Sequence, residues 1–246
     1  MPQPTSRLAA AAAGVGGLAV LVGGLGVLLA NQGVVQPIQG FAAFAFVGGL
    51  LGAIGLILAA LGLRVTRAGS GRSGRDRAWF GLATGGVMLL AVLRGALAGG
   101  NVPRINDITT NPDDPPQFEY AKRDPATRDR DYAYPPGFAA QQRAGYPDLA
   151  PIALPVPPDE AYERAQAAAH ALGFDVVLSD KARGVIEARA TSSLFHFVDD
   201  VAIRIRPGPN GGSVVDIRSK SRGGKGDIGA NAKRIRAIAA ELRGTT

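Results

Sequence analysis

The sequence predicts a membrane α-helical region of three spanning helices followed by a soluble α+β domain, an antiparallel four-stranded sheet flanked by helices. Three observations carry this prediction. No charged side chain occurs between Leu8 and Leu63, whereas charge runs throughout residues 101–246. Three apolar stretches reach the roughly 20 residues that a hydrocarbon core requires at ~1.5 Å rise per helical residue. After Pro158, apolar residues recur first at helical and then at strand spacing. The expected divisions are residues 1–100 for the spans, 101–158 for a proline-rich extended arm, and 159–246 for the α+β domain.

The spans are Leu8–Ala30, Phe41–Leu63 and Ala78–Leu97, the last interrupted only by Arg94 near its end. A long side chain there snorkels to the interface, a functional intramembrane arginine being the rival reading. The first apolar run exceeds the ~7–15 residues of a secretory signal and reads as an uncleaved anchor. The linker Asn31–Gly40 lacks Lys and Arg, while Arg64–Arg77 carries five arginines against Asp76 alone. The positive-inside rule places that second loop in the cytoplasm, with the N-terminus inside and the C-terminal domain outside. Arg outnumbers Lys 22 to 5 among abundant Ala, Gly and Pro, a composition that suggests a GC-rich bacterial genome. The expected location is therefore the bacterial inner membrane, with a periplasmic C-terminal domain. Small residues recur at spacing four (Ala19 and Gly23, Gly48 and Gly52, Gly81 and Gly85, Gly95 and Gly99). Such pairs let backbones approach closely, within one bundle or between copies. No acidic residue or histidine interrupts a span, which leaves a proton or ion relay nothing to run on.

The net charge of +7 divides unevenly, with seven Arg and one Asp before residue 101 and 20 Lys+Arg against 19 Asp+Glu after it. The excess belongs to helix orientation and not to phosphate-backbone recognition, so nucleic acid is excluded as a partner. With no cysteine, disulfides, thiolate catalysis and Cys-based metal or iron–sulfur sites are excluded as well. No cofactor is expected.

Twelve of the 17 prolines fall between Pro103 and Pro158, which argues against helices or central strands there. The charge-rich centre, Tyr120–Tyr134, reads as mobile. Beyond it, a helix is expected over about Glu160–Leu172, with Asp159 as its N-cap and Gly173 at C′. Strands follow at Phe174–Leu178, Val185–Thr191, the segment around Val201, Ile203 and Ile205, and Ser213–Arg222. Pro207–Gly212 forms a hairpin connection. A last helix, Ile228–Arg243, is capped by Asp227 and carries the apolar stripe Ile228, Ala232, Ile235, Ala239 and Leu242.

The densest candidate for chemistry is the run from Arg218 to Arg236. Between Arg218 and Arg243 there are eight Lys+Arg against two acids. A glycine-rich turn entering a helix among basic residues holds anions, with Arg218, Arg222, Lys225, Asn231 and Arg234 as the candidate set. The plainer reading is a strand-to-helix turn with a solvated helix face. The Walker spacing is absent, and Asp227 competes for the same amides. Asp199 and Asp200 are adjacent on a strand and point to opposite faces, which suits structural ion pairs with Arg204, Arg206 or Arg218 better than acid/base chemistry. Asp113 and Asp114 lack a third calcium ligand. His170 and His196 lack a second histidine at metal spacing, and Ser192 and Ser193 lack nucleophile-elbow glycines.

Asn106-Asp-Ile-Thr-Thr110 with Pro115-Pro-Gln-Phe118, the run Phe197–Pro207, and Ser219–Arg236 resemble the bacterial and plastid domain-of-unknown-function family numbered 1499. The resemblance covers about residues 101–243 and is weak over Tyr120–Tyr134. It implies an envelope-associated or lumenal domain, often with a membrane anchor, and it implies no activity.

The expected function is a membrane-tethered, non-enzymatic module that binds an anionic lipid, an envelope glycan or a membrane protein partner. The alternatives are an enzyme acting on envelope lipid or glycan through Asp199, Asp200 or Asp227, and a structural subunit of a membrane complex.

Overall fold

The computed structural model describes residues 3–100 and 102–244. The chain forms two compact units, Met1–Gly100 with Ser193–His196, and Asn101–Ser192 with Phe197–Thr246.

The first unit contains three helices long and apolar enough to cross a membrane: Arg7–Asn31, Pro37–Val65 and Arg75–Leu97. The first, α1 (Arg7–Asn31), starts at Ser6, whose hydroxyl accepts from the Ala9 amide at 3.4 Å. The second begins at Pro37, a residue suited to the first helical turn. It runs as α2 (Pro37–Ala42), a π-helical stretch Ala43–Gly48, and α3 (Gly49–Val65). The third is α4 (Arg75–Ala98). Glycine lets these helices touch backbone to backbone. A Cβ at Gly85 would lie 2.7 Å from the Gly52 carbonyl oxygen, whereas one at Gly95 would meet nothing within 4 Å. Leu21, Phe46, Leu50, Ile57, Val87 and Leu90 all point outward, in keeping with helices apolar enough to cross a membrane.

The second unit is built on a six-stranded antiparallel sheet of order β1-β6-β5-β4-β3, with β2 also paired to β6. The strands are Asp107–Thr109 (β1), Ile152–Leu154 (β2), Asp175–Asp180 (β3), Val185–Thr191 (β4), Val198–Pro207 (β5) and Ser213–Ser221 (β6). The expectation of four strands is thereby corrected to six, and both additions come from the proline-rich stretch. Each has three residues, too few for alternation to register. Each pairs with the edge of β6, where neighbouring prolines remove no ladder bond that the sheet needs. Asp107 and Thr109 lie opposite Lys220 and Arg218, and Ile152 and Leu154 lie opposite Val215 and Ser213. The free edge of β1 is satisfied by Gln142 on α6 (Phe138–Gly145), which accepts from Thr109 N at 2.8 Å and donates to Thr109 O at 2.6 Å. A side-chain amide thus stands where another strand would otherwise pair.

Helices α7 (Pro158–Ala171) and α8 (Ala230–Arg243) supply Ala161, Tyr162, Ala165, Ile235, Ile238 and Leu242 to the main core, against Ile186, Val201, Ile203, Ile205, Val215 and Ile217 of the sheet. Helix α7 begins at Pro158, so Asp159 lies in its first turn and is not its cap. Ile228, expected in the apolar stripe of α8, lies before that helix and is 53% exposed.

The opposite face of the sheet is also covered. The 120–134 segment, expected to be mobile, includes α5 (Tyr120–Arg123) and packs Ala121 and Tyr132, together with the preceding Phe118, on Ala202. The Glu187 carboxylate, buried on β4, accepts from the amides of Glu119, Tyr120 (2.9 Å) and Ala121 (3.3 Å), seating the first turn of α5 on the sheet. Burial raises the Glu187 pKa above the usual carboxylate range, with those amides opposing the shift.

Candidate functional site

Arg218 and Lys220 alternate along β6 and so share a face, Arg222 follows directly after the strand, and all three meet the arm. Arg218 is fully buried. Its Nε and Nη2 donate to the two Asp107 carboxylate oxygens at 2.9 and 2.7 Å, and further donors reach Pro116 O at 3.2 Å and Tyr132 O at 2.9 Å. Its guanidinium also sits 4.9 Å from the Phe118 ring centre and 5.5 Å from that of Tyr134. Lys220 Nζ donates to the same Asp107 carboxylate at 2.8 Å. Pairing of β1 with β6 therefore places one buried acid between two cations. Such a cluster specifies the arm's seat, because taking either charge away leaves the other desolvated.

Asp199 and Asp200 point to opposite faces, as strand geometry requires. Asp200 accepts a bidentate grip from Arg222 (Nη2 at 2.6 Å, Nε at 3.0 Å) and a hydrogen bond from the Tyr132 hydroxyl at 2.8 Å. Burial and the adjacent Asp200 push the Tyr132 pKa up to about 12. Asp199 accepts from Arg234 Nη2 on α8 at 2.7 Å. Burial raises the Asp199 pKa from the usual carboxylate range, with Arg234 opposing. Arg234 Nη1 also donates to Ser219 Oγ at 2.8 Å and Asn231 Oδ1 at 2.6 Å. Asn231 is itself buried, donating to Ser221 Oγ at 2.9 Å and Asn106 O at 3.2 Å. Asp227 accepts from the amides of Gly229 and Asn231 at 2.9 and 2.7 Å.

Arg204 and Arg206 both reach Asp216, at 2.7 and 2.8 Å, and Arg204 also meets Asp114 at 2.9 Å. The sequence suggested Arg204, Arg206 or Arg218 as partners for Asp199 and Asp200. The structure instead supplies Arg234 and Arg222, because Asp216 faces Arg204 in the β5–β6 register and Arg218 faces β1. Of the five candidate anion ligands, Arg218, Asn231 and Arg234 are thus engaged within the fold, Arg222 is half engaged at a cleft, and Lys225 is exposed on the turn.

That cleft has a volume of about 260 Å³ and is lined by Asn106, Arg130, Asp131, Tyr132, Asp200, Lys220, Ser221 and Arg222. Arg130 Nη1 donates to the Arg222 carbonyl, which fixes the arm across the end of β6. Sequence reasoning missed Arg130, Lys220, Asn106 and Tyr132. Lys220 was legible, since it alternates with Arg218 and Arg222; Arg130 was not, since its position depends on how the arm folds back. A second hollow of about 380 Å³ is walled largely by Pro112, Tyr146, Pro147, Leu149 and Pro151, with Arg143 held by Asp113 at 2.6 Å. Among the described residues, no group of three or more His, Asp or Glu side chains is placed to hold a metal ion.

Residues 107–242, more than half of the chain, match the model of a family described as protein of unknown function (DUF1499). A search of curated proteins finds no match.

Proposed function

The chain belongs to the DUF1499 family of unknown function, and from that premise we propose that it is a membrane-tethered, non-enzymatic binding module whose cleft holds the anionic group of an envelope component. The observation that carries this reading is the convergence of Arg130, Lys220 and Arg222 on one small cavity. Lys220 spends one of its three ammonium protons on Asp107, and Arg222 is held rigid by Asp200. A cavity of about 260 Å³ lies below the usual range for drug-sized ligands, ~300–1,000 Å³, and suits a phosphate or carboxylate group better than a whole glycan. Asp199 and Asp200 lie on opposite faces, each held by an arginine, an arrangement that favours binding over acid/base chemistry.

The reading includes location. The three apolar helices are the anchor in a bacterial inner membrane. The five arginines of Arg64–Arg77 hold their loop in the cytoplasm, which leaves the N-terminus inside and the sheet domain in the periplasm.

The test is calorimetric titration of the full chain in neutral detergent with glycerol phosphate at low and raised salt. Saturable binding that weakens with salt and falls about tenfold in Arg130→Ala is expected. Arg130 is exposed, and an unchanged circular dichroism spectrum and melting temperature in Arg130→Ala separate lost binding from a displaced arm. No binding by the wild type at low salt would refute the proposal.

A further inference from the structure

The turn between β6 and α8, Gly223–Gly229, carries a combination that the cleft does not explain. Ile228 is 53% exposed and has φ 54°, in the left-handed region. A β-branched residue is a poor occupant of that region, and an exposed one gains nothing from burial in return. Lys225 in the same turn, Lys233 in the first turn of α8 and Arg104, whose backbone lies against Gly226, are exposed, and among the described residues no carboxylate pairs with any of them. The one acid in the turn, Asp227, is occupied with the amides of Gly229 and Asn231.

The turn lies against the chain that leads into β1. A Cβ at Gly226 would lie 3.5 Å from Arg104 Cα, and one at Gly229 would lie 3.6 Å from Val102 Cγ1. Asn106 Nδ2 donates to Gly224 O at 2.7 Å, tying the turn to the start of β1. The turn is therefore built on residues only five to nine positions beyond Leu97, where the third apolar helix ends.

We propose that this turn docks on an anionic lipid surface, with Ile228 entering the acyl boundary while Arg104, Lys225 and Lys233 meet the lipid phosphates. An apolar tip ringed by unpaired cations is complementary to an anionic interface, where apolar burial and charge attraction act together. The anchor adds the second factor. A protein that carries its own spans meets the surface at high effective concentration, so weak individual contacts suffice. The docking uses residues outside the cleft and does not depend on the cleft being occupied.

The absence of cysteine makes the test direct. The full chain carrying Ile228→Cys, labelled with an environment-sensitive fluorophore, is placed in nanodiscs of zwitterionic lipid and of lipid with one third anionic phosphatidylglycerol. A several-fold rise and blue shift of emission in the anionic discs is expected, reversed by salt and abolished by Arg104→Gln, Lys225→Gln and Lys233→Gln together. A second label at Lys225→Cys gives the same contrast and loses it on Ile228→Gly, a change that relaxes the left-handed backbone and so keeps the fold. Equal emission in both lipids, or insertion indifferent to the triple substitution, overturns the proposal. Loss of glycerol phosphate binding in Arg130→Ala leaves the lipid signal intact, so the two readings fail separately.

Discussion

Removing Arg218 should cost less than removing its partner Asp107, although both are fully buried. Arg218→Met deletes two charge-assisted bonds to Asp107 and two bonds to carbonyls. Asp107 then still keeps Lys220 at 2.8 Å. The loss should lie near the lower end of the range for a broken buried pair, about 3 kcal/mol. Asp107→Ala instead strands a guanidinium with no exposure and frees Lys220 as well, so the upper end applies, about 5 kcal/mol. For a unit of this size each kcal/mol lowers Tm by about 3 °C, giving drops of about 9 and 15 °C. The assay is thermal unfolding of the full chain in detergent, followed by tyrosine near-UV circular dichroism. All five tyrosines, from Tyr120 to Tyr162, lie in the sheet unit, and the single tryptophan, Trp79, lies in the third apolar helix. The double variant Asp107→Ala with Arg218→Met should lose at least ~2 kcal/mol less than the sum of the single changes, because Arg218 and Asp107 are then both absent and neither is left stranded by the other's removal. Additive losses, or a greater cost for Arg218→Met, would refute the account of Asp107 as the shared acid of two cations.

Glu187→Ala removes the acceptor of three amides and should destabilise the sheet unit by about 3 kcal/mol, with trypsin cleaving at Lys122 and Arg123 earlier than in the wild type. Burial raises the Glu187 pKa in the fold above its unfolded value, so the stability of the protonated form is complete below the unfolded pKa and is lost as pH rises through the folded one. Relative to Glu187→Gln, the wild type should therefore lose stability as pH is raised from about 4 toward neutrality; a wild type that gains stability relative to Glu187→Gln as pH rises would contradict the burial argument. In the helical unit, Gly85→Val would drive a Cβ to 2.7 Å from the Gly52 carbonyl and should lower the transition seen by Trp79 fluorescence, while Gly95→Val, which meets open space, should leave it unchanged.

Much of this architecture was legible because its signals are long. Three apolar runs broken by a single arginine cannot be accommodated as ordinary surface helices, and β4, β5 and β6 are long enough for two-residue alternation to fix both their existence and their inward faces. The strands β1 and β2 were hidden because three residues carry no period, and their proline-rich surroundings argue locally for irregular chain. What overrides that local argument is the unpaired edge of β6, a property of residues far away in sequence. The basic run was read as an anion-binding turn or a solvated helix face, and its surroundings were not legible. Nothing near Arg218 reports that Phe118, Tyr132 and Tyr134 will cover it, since those residues come from a segment whose charge density resembles a free linker. Ile228 fitted the stripe of α8 by spacing alone; the left-handed residues at Ile228 and Gly229 end that helix before the spacing can apply.

The pairing of β1 with β6 also sets an order of events. Asp107 meets Lys220 across 113 positions and Arg218 across 111. A chain made from its N-terminus therefore exposes β1 long before β6, the strand it pairs with, has been made. Closing so long a loop is entropically costly and is rewarded only at the end. Throughout that interval the segment that becomes the covered edge is bare backbone, next to the third apolar helix in sequence. A ribosome stalled before residue 213 would leave it with no native strand to join, so the last strand and its helix act as the closing step of the whole sheet and not as an appendage to it.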